Sequence, residues 1–380
     1  MSTPETRTFP HDVADFPSYL GVAVSYACNY RCLGCIHGNK EEMRDFLKSR
    51  QTFMPSDRFR AIVDEVARRH PPMNLTSPGE TLMHPEIYDL IAYAAERGIA
   101  VEFDTNGSLV DPERLAACGA RNVTFSIDGL TQEAYEAYRR GGDLELVLGK
   151  VSDLAQRVAR RGSGPKIFIK YLVNAYTENT LEQAAEYFRA MPGVTFMVDF
   201  FHPPAESFLA KCANPMAVSL ARWEQWRPRR LPDYDLFLPD EQRGYAVHKA
   251  ALLPFRGDCY SPFKNMYINT DGEAYACCSL ALVPDPATRD LSRQYGYGNV
   301  FELGVLGAFF GERAKAFRAA FRESGGRVGP CLNCWSNRVA AQQEALAVKG
   351  QGRFPTLLDW PDSEQPDNER PDKDAACTSA

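Results

Sequence analysis

The sequence predicts an α/β fold in which parallel strands alternate with helices, followed by a smaller cysteine-marked module. Three observations carry this. Strand-like apolar stretches alternate six times with helical or loop stretches between Leu20 and Phe201. Such alternation implies a parallel sheet with right-handed crossovers. The segment Cys28-Asn29-Tyr30-Arg31-Cys32-Leu33-Gly34-Cys35 follows the first strand directly. A second group of cysteines, Cys259 to Cys334, begins only after the alternation has stopped.

In order, Leu20 to Val24 is the first strand, and Lys40 to Met54 is a charged loop long enough to cover the cysteines. Ser56 reads as a helix N-cap before Phe59, Ile62, Val63 and Val66 at helical spacing. Met73 to Thr76 is a short strand. Pro85 to Arg97 is a helix with Ile87, Leu90 and Ile91 inward, stopped at Gly98. Ile99 to Asp104 is a strand, Asp111-Pro112 opens a helix that Gly119 ends, and Asn122 to Ile127 is the fourth strand. Helices follow at Thr131 to Arg139 and Asp143 to Arg161. Lys166 to Val173 is a strand. Thr180 and Gln183 form a capping-box pair opening a helix to Met191, and Val194 to Phe201 is the last strand. Pro203 to Phe255, rich in Pro, Trp and Arg, reads as a linker with a helix near Val218 to Trp226. From Pro361 the composition is that of a disordered tail, in which Cys377 is incidental.

The chain has 380 residues, a formal net charge of −6, 44% hydrophobic and 24% charged residues, ordinary for a globular protein. No basic block points to nucleic acid, and no apolar run reaches membrane-span length. Met1 to Pro17 lacks an apolar signal core. Eleven cysteines without an export signal favour a reducing compartment, where metal ligation outweighs disulfides; the expected location is cytoplasmic.

Three thiolates on one short loop leave a tetrahedral zinc site one ligand short. They can hold a cubane iron–sulfur cluster by three of its irons, with the fourth left open. The competing readings are core cysteines or a zinc knuckle completed by His37. The C-x3-C-x2-C spacing of Cys28, Cys32 and Cys35 resembles the signature of the radical S-adenosylmethionine (SAM) family. The resemblance implies a partial (βα)6 TIM-type barrel and a [4Fe–4S] cluster whose open iron binds SAM. It also implies reductive cleavage of SAM to a 5′-deoxyadenosyl radical that abstracts hydrogen from a C–H bond. In such barrels the chemistry lies at the C-terminal strand ends, where the cysteine loop falls.

Further segments carry the resemblance. Ser77-Pro78-Gly79-Glu80-Thr81 resembles the family's Gly-Gly-Glu-Pro edge, with Gly79 and Glu80 matching and Pro78 and Thr81 departing. His84-Pro85-Glu86-Ile87 resembles its continuation. Thr105-Asn106-Gly107 and Ser126-Ile127-Asp128-Gly129 resemble segments lining the SAM site. This implies SAM contacts from Gly79, Glu80, Asn106, Ser126 and Asp128, although Asn-Gly and Asp-Gly are also turn formers anywhere. Lys170 either points inward to meet a carboxylate near that site or lies on a polar edge. Gly34 departs from the aromatic residue that many members carry before the third cysteine.

In the second module, Tyr267 to Tyr275 reads as a hairpin about the Asp271-Gly272 turn, delivering Cys277-Cys278. Gly298-Asn299, a helix near Glu312 to Arg322, and Cys331-Leu332-Asn333-Cys334 follow. The pattern resembles the Twitch module, the shorter relative of the SPASM auxiliary-cluster domain. It implies a second [4Fe–4S] cluster held by Cys259, Cys277, Cys331 and Cys334, with Cys278 able to replace Cys277; a four-cysteine zinc site is the alternative.

The expected domains are an N-terminal extension (1–17), the radical SAM core (18–205), a linker (206–255), the auxiliary-cluster domain (256–340) and a tail (341–380). The expected function is hydrogen abstraction from a carbinol carbon of a sugar, aminocyclitol or nucleoside, ending in dehydrogenation or epimerisation. Asp199 or His202 would act as base, and Cys118, Cys212 or Cys278 as hydrogen-atom donor. The expected partners are that small molecule and a flavodoxin- or ferredoxin-type electron donor. The alternative is modification of a ribosomally made peptide, disfavoured by the 27 residues before Cys28, too few for a peptide-recognition domain. The remote alternative is a zinc-stabilised binding protein without enzymatic activity.

Overall fold

A computed structural model of the chain describes residues 12–39, 41, 51–75, 78–200, 203–204, 216–281 and 295–338. Six parallel strands pair in sequence order: β1 (Tyr19–Val22), β2 (Met73–Asn74), β3 (Val101–Thr105), β4 (Asn122–Ser126), β5 (Lys166–Val173) and β6 (Val194–Phe200). The helices between them are α1 (Ser56–Val66), α2 (Ile87–Glu96), α3 (Pro112–Ala117), α4 (Gln132–Tyr138), α5 (Leu144–Arg161) and α6 (Leu181–Arg189). The run is the open parallel sheet of a partial barrel; among the described residues no strand closes β6 onto the far edge.

Period-two alternation divides each strand between two environments. Val101, Phe103, Val123, Phe125, Ile167 and Ile169 face the helices and are wholly buried or nearly so. The other face carries Tyr19, Asn74, Glu102, Asp104, Lys170 and Asp199, mostly half-buried and polar. On it Glu102 accepts hydrogen bonds from the Tyr19 hydroxyl (3.2 Å) and from the amides of Asn74 (3.3 Å) and Asn122 (3.2 Å).

The free edge of β1 is covered from the far end of the chain. Strand β10 (Asn265–Ile268) pairs with it in parallel, Tyr19 opposite Asn265, and β11 (Glu273–Tyr275) and β12 (Gly298–Asn299) continue antiparallel to a nine-stranded sheet. Helices α8 (Val300–Phe310) and α9 (Glu312–Glu323) follow. The predicted hairpin about Asp271-Gly272 is present, and it forms one sheet with the barrel.

The described part of 206–255 contains more than a connecting segment. β7 (Ala217–Ser219), β8 (Phe237–Asp240) and β9 (Tyr245–His248) form an antiparallel sheet, with α7 (Leu220–Trp226) between β7 and β8. Glu178, after β5, accepts the backbone N–H groups of Arg229, Arg230 and Leu231 at 2.7–3.1 Å. This insert is thereby tied to the loop at the C-terminal end of β5.

Local capping follows the sequence at Asp111, whose carboxylate accepts the N–H groups of Glu113 and Arg114. It departs at two sites. Ser56 is the first helical residue, not the cap, and its hydroxyl donates to Glu86 (2.7 Å). Thr180 makes no capping bond, because its hydroxyl is engaged with that of Tyr171 (2.9 Å). Residues 1–11, 40, 42–50, 76–77, 201–202, 205–215, 282–294 and 339–380, and with them His202, Cys212 and the tail, lie outside the described residues. No described helix is long and apolar enough to cross a membrane.

Candidate functional site

The Cys28–Cys35 loop sits at the C-terminal ends of the parallel strands, and several strand ends converge on it. Chain 52–54 returns alongside its stem: Met54 N–H donates to Val24 and Tyr26 N–H to Thr52. From the other side Gly79-Glu80 presses against the stem, with Glu80 N–H donating to the Ala27 carbonyl at 2.7 Å. A Cβ on Gly79 would lie 2.4 Å from Ala27 O and 2.6 Å from Ser25 O, so only glycine permits this approach.

Glu80 is 3% exposed, and its carboxylate accepts from Leu82 N–H (3.1 Å), the Thr105 hydroxyl (2.7 Å) and Asn106 N–H (2.8 Å). Burial pushes its carboxyl above the usual range, with these three bonds working against the rise. Asn106 donates to the Asn29 side chain (3.0 Å) and accepts from Ser108, to which Asn29 also donates. The side chains of Glu80 and Asn106 are thus committed to tying β2, β3 and the cysteine loop together. Thr81, which departs from the family pattern, is buried and donates to the Leu75 carbonyl at 3.0 Å.

Asp128 is wholly buried. It accepts Leu172 N–H (3.0 Å) and pairs with Arg139 (2.6 Å). Arg139 in turn reaches Cys32 Sγ at 3.8 Å. Reasoning from the sequence missed Arg139, placing it only as the last residue of a helix. The phenol of Tyr138 lies over Gly34, where a Cβ would be 2.5 Å from its oxygen. A ring from another segment therefore occupies the space beside the position where the sequence lacks its aromatic residue. Ser126, at the end of β4, is buried next to Lys170 in the strand register. Of the two readings of Lys170 the structure has the inward one, with the ammonium paired to Asp104. Asp199 shares that face of the sheet, opposite Leu172 in register. Cys118 is buried at the C-cap of α3, at the opposite end of the sheet from the cysteine loop, where its thiol donates to Leu115.

The second cysteine group gathers at the N-terminal end of β1 and β10, across the polar sheet face from the first. Asn337 organises it. Its side chain accepts Cys259 N–H (3.3 Å) and donates to the Cys331 carbonyl (2.9 Å), while its carbonyl accepts the N–H groups of Arg256 and Gly257. Its position three residues after Cys334 was the available signal. Cys277 is the less exposed of the vicinal pair; Cys278 opens a single helical turn and is exposed.

The donor sets fit iron–sulfur clusters. All nine described cysteines are unbridged. Burial pushes Cys28 up to about 12, with Glu80, Cys32 and Cys35 adding to the rise. Burial likewise pushes Cys331 up to about 12, and Cys334 and Cys259 add to it. Burial and the neighbouring thiols thus favour the neutral thiol, so a cluster would bind these cysteines as thiolates with release of their protons; among the described residues no three His, Cys, Asp or Glu side chains are already drawn together as a metal-ion site. His37 is 4% exposed, its Nε2 has no hydrogen-bond partner, and burial pulls its pKa down to about 4.

Comparison with known proteins agrees with this geometry. The radical SAM superfamily profile matches residues 22–188, and the SPASM iron–sulfur cluster-binding domain matches residues 259–335. Mycofactocin maturase MftC of Mycobacterium ulcerans is 31% identical over 150 residues, covering 39% of this chain and 38% of the maturase. AdoMet-dependent heme synthase of Methanosarcina barkeri is 27% identical over 126 residues, 32% of this chain and 34% of the synthase. The chain thus matches little more than a third of the length of these relatives. The fold is similar to that of Streptococcus suis SuiB bound to precursor peptide SuiA, with a TM-score of 0.53 and 15% identity over 86% of this chain and 71% of SuiB. The chain thus carries a radical SAM domain and a C-terminal SPASM domain, which together imply SAM, a SAM-binding [4Fe–4S] cluster and an auxiliary iron–sulfur cluster.

Proposed function

We propose that this enzyme abstracts a hydrogen atom from a residue of a ribosomally made peptide. The similarity to mycofactocin maturase carries this reading, and the fold shared with a protein crystallised on its precursor peptide is in keeping with it. The carbinol substrate expected from the sequence lacks the support that the maturase similarity gives the peptide. A small molecule keeps the support of the weaker heme synthase match.

In this reading Cys28, Cys32 and Cys35 hold the SAM cluster, and Cys259, Cys277, Cys331 and Cys334 the auxiliary cluster. Held there, the first cluster would supply the one-electron reduction of SAM from which hydrogen abstraction follows. Glu80 and Asn106 fix the cysteine loop, Gly79 lets the β2 edge approach it, and Ser126 contacts SAM. The polar sheet face receives the substrate between the two cysteine groups. There Lys170 and Asp104 orient it, and Asp199 takes a proton where the product requires one. The electron donor is of flavodoxin or ferredoxin type.

The test uses anaerobically reconstituted full-length protein, with dithionite as reductant and 5′-deoxyadenosine as readout. Low-molecular-mass extract of the source organism is added with and without prior protease digestion. Stimulation lost on digestion is expected. Stimulation that survives digestion refutes the peptide reading in favour of a small molecule. Bound zinc in place of iron, with no deoxyadenosine, refutes both.

A further inference from the structure

If Cys28, Cys32 and Cys35 ligate one cluster, the surroundings of Cys32 stand out. Cys32 is the most buried of the three, at 8% exposure, and has a guanidinium within hydrogen-bond reach: Arg139 Nη1 lies 3.8 Å from its sulfur. That guanidinium is held from several sides. Its Nε donates to Asp128 Oδ2 at 2.6 Å, and Asp128 is itself fixed by Leu172 N–H on Oδ1 at 3.0 Å. The backbone of 138–140 runs beside the cysteine loop. Arg31 N–H donates to the Arg140 carbonyl (3.0 Å) and Leu33 N–H to the Tyr138 carbonyl (3.2 Å). The Tyr138 ring lies 5.2 Å from the guanidinium. The planar fork thus has one edge on a buried carboxylate and an arm on the sulfur, an arrangement a lysine cannot reproduce.

We propose that Arg139, locked by Asp128, sets the electron affinity of the cluster held by Cys28, Cys32 and Cys35 by donating a charge-assisted hydrogen bond to the Cys32 sulfur. This rests on the ligand assignment above. Reduction adds one electron from an external reductant to the cluster, and part of the added charge spreads onto the thiolate sulfurs. A donor fixed on one of those sulfurs stabilises the reduced state more than the oxidised one and raises the potential. Arg139 keeps its proton throughout. Asp128 is a positioning residue here, in place of the direct SAM contact implied by resemblance.

The experiment is a dithionite potentiometric titration, followed by electron paramagnetic resonance, of reconstituted holoprotein with iron and sulfide analysis. The wave missing from a Cys28/Cys32/Cys35→Ala variant is the one read. Arg139→Met is expected to keep its iron and to shift that wave negative by at least a tenfold change in the reduction equilibrium, 59 mV for one electron. Arg139→Lys is expected to recover part of the shift, and Arg140→Met, at the exposed neighbour, to cause none. An unshifted wave in Arg139→Met with wild-type iron overturns the proposal, even if SAM binding is lost, because Arg139 would then serve SAM alone. If Arg139→Met fails to hold iron, Arg139→Lys decides: a more negative wave supports the proposal and an unshifted one overturns it. Absence of that wave from wild type refutes the ligand assignment itself.

Discussion

Replacing Gly79 by alanine tests how tightly the cysteine loop is held. The added methyl would sit 2.4 Å from Ala27 O, 2.6 Å from Ser25 O and 2.8 Å from the Tyr26 carbonyl carbon. An ordinary carbon–oxygen contact is about 3.3 Å, so the overlap is about 1 Å. All three atoms are backbone, so no side chain can rotate away, and the stem leading into Cys28 must shift. Overpacking of this kind costs about 1–3 kcal/mol. A misplacement of about 1 Å beside a reacting centre costs on the order of 100-fold in rate. The expected variant folds, melts a few degrees lower, and makes 5′-deoxyadenosine about 100-fold more slowly at saturating SAM. Gly149→Ala is the control: this exposed glycine within α5 has nothing within 4 Å of its added methyl. It should gain about 0.5–1 kcal/mol in stability with unchanged rate. Wild-type melting and a wild-type rate in Gly79→Ala would refute the argument that this backbone contact fixes the loop.

Two further predictions concern buried polar groups. His84 donates from Nε2 to the Met54 carbonyl (2.9 Å) and accepts Glu86 N–H on Nδ1 (3.2 Å), a pairing only the neutral ring can make. Burial pulls its pKa below the ordinary histidine value, with Met54 and Glu86 opposing. Its stabilisation is therefore fully present above pH ~6.5 and is lost as pH falls through the folded-state value. Urea midpoints between pH 5 and 8 should fall at the acid end in wild type and less in His84→Gln; parallel curves would contradict this. Asn269, just past β10, is wholly buried with neither carboxamide atom hydrogen-bonded. Asn269→Leu should raise the melting temperature, since an unpaired buried polar group costs about 1–3 kcal/mol. A lower melting temperature would show that the site depends on the amide.

Much of this fold was written in local signals. The strand at Lys166 to Val173 and the cap at Asp111 each follow from a few neighbouring residues, and so does the Asp271-Gly272 turn. The cysteine spacings that the two domain matches cover were likewise visible in the sequence. What escaped depends on partners distant in sequence. Thr180 has the residues of a capping box, but a tyrosine on β5 takes its hydroxyl. Glu80, Asn106 and Asp128 read as cofactor contacts, and the structure adds protein partners for all three side chains. Those partners appear only when the ends of β2, β3 and β4 are brought side by side. Arg139 reads as the end of an amphipathic helix until Cys32, over a hundred positions earlier, lies against it. The strands within 217–248 are three or four residues long and amid prolines, too short for alternation to register.

The pairing of β1 with β10 has a consequence for how the molecule is made. Tyr19 to Val22 emerge from the ribosome more than 240 residues before their neighbour on one side, Asn265 to Ile268. Until then the first strand presents an unpaired edge with the cysteine loop attached, and parallel pairing over long sequence separation is slow. The half-barrel is therefore sealed from its C-terminal side, and cluster insertion into the first loop competes with the arrival of the last strands. A nascent chain stalled before residue 265 would expose both a sticky strand and reactive thiols. The cell's chaperones and its iron–sulfur assembly machinery would meet this protein as the same intermediate.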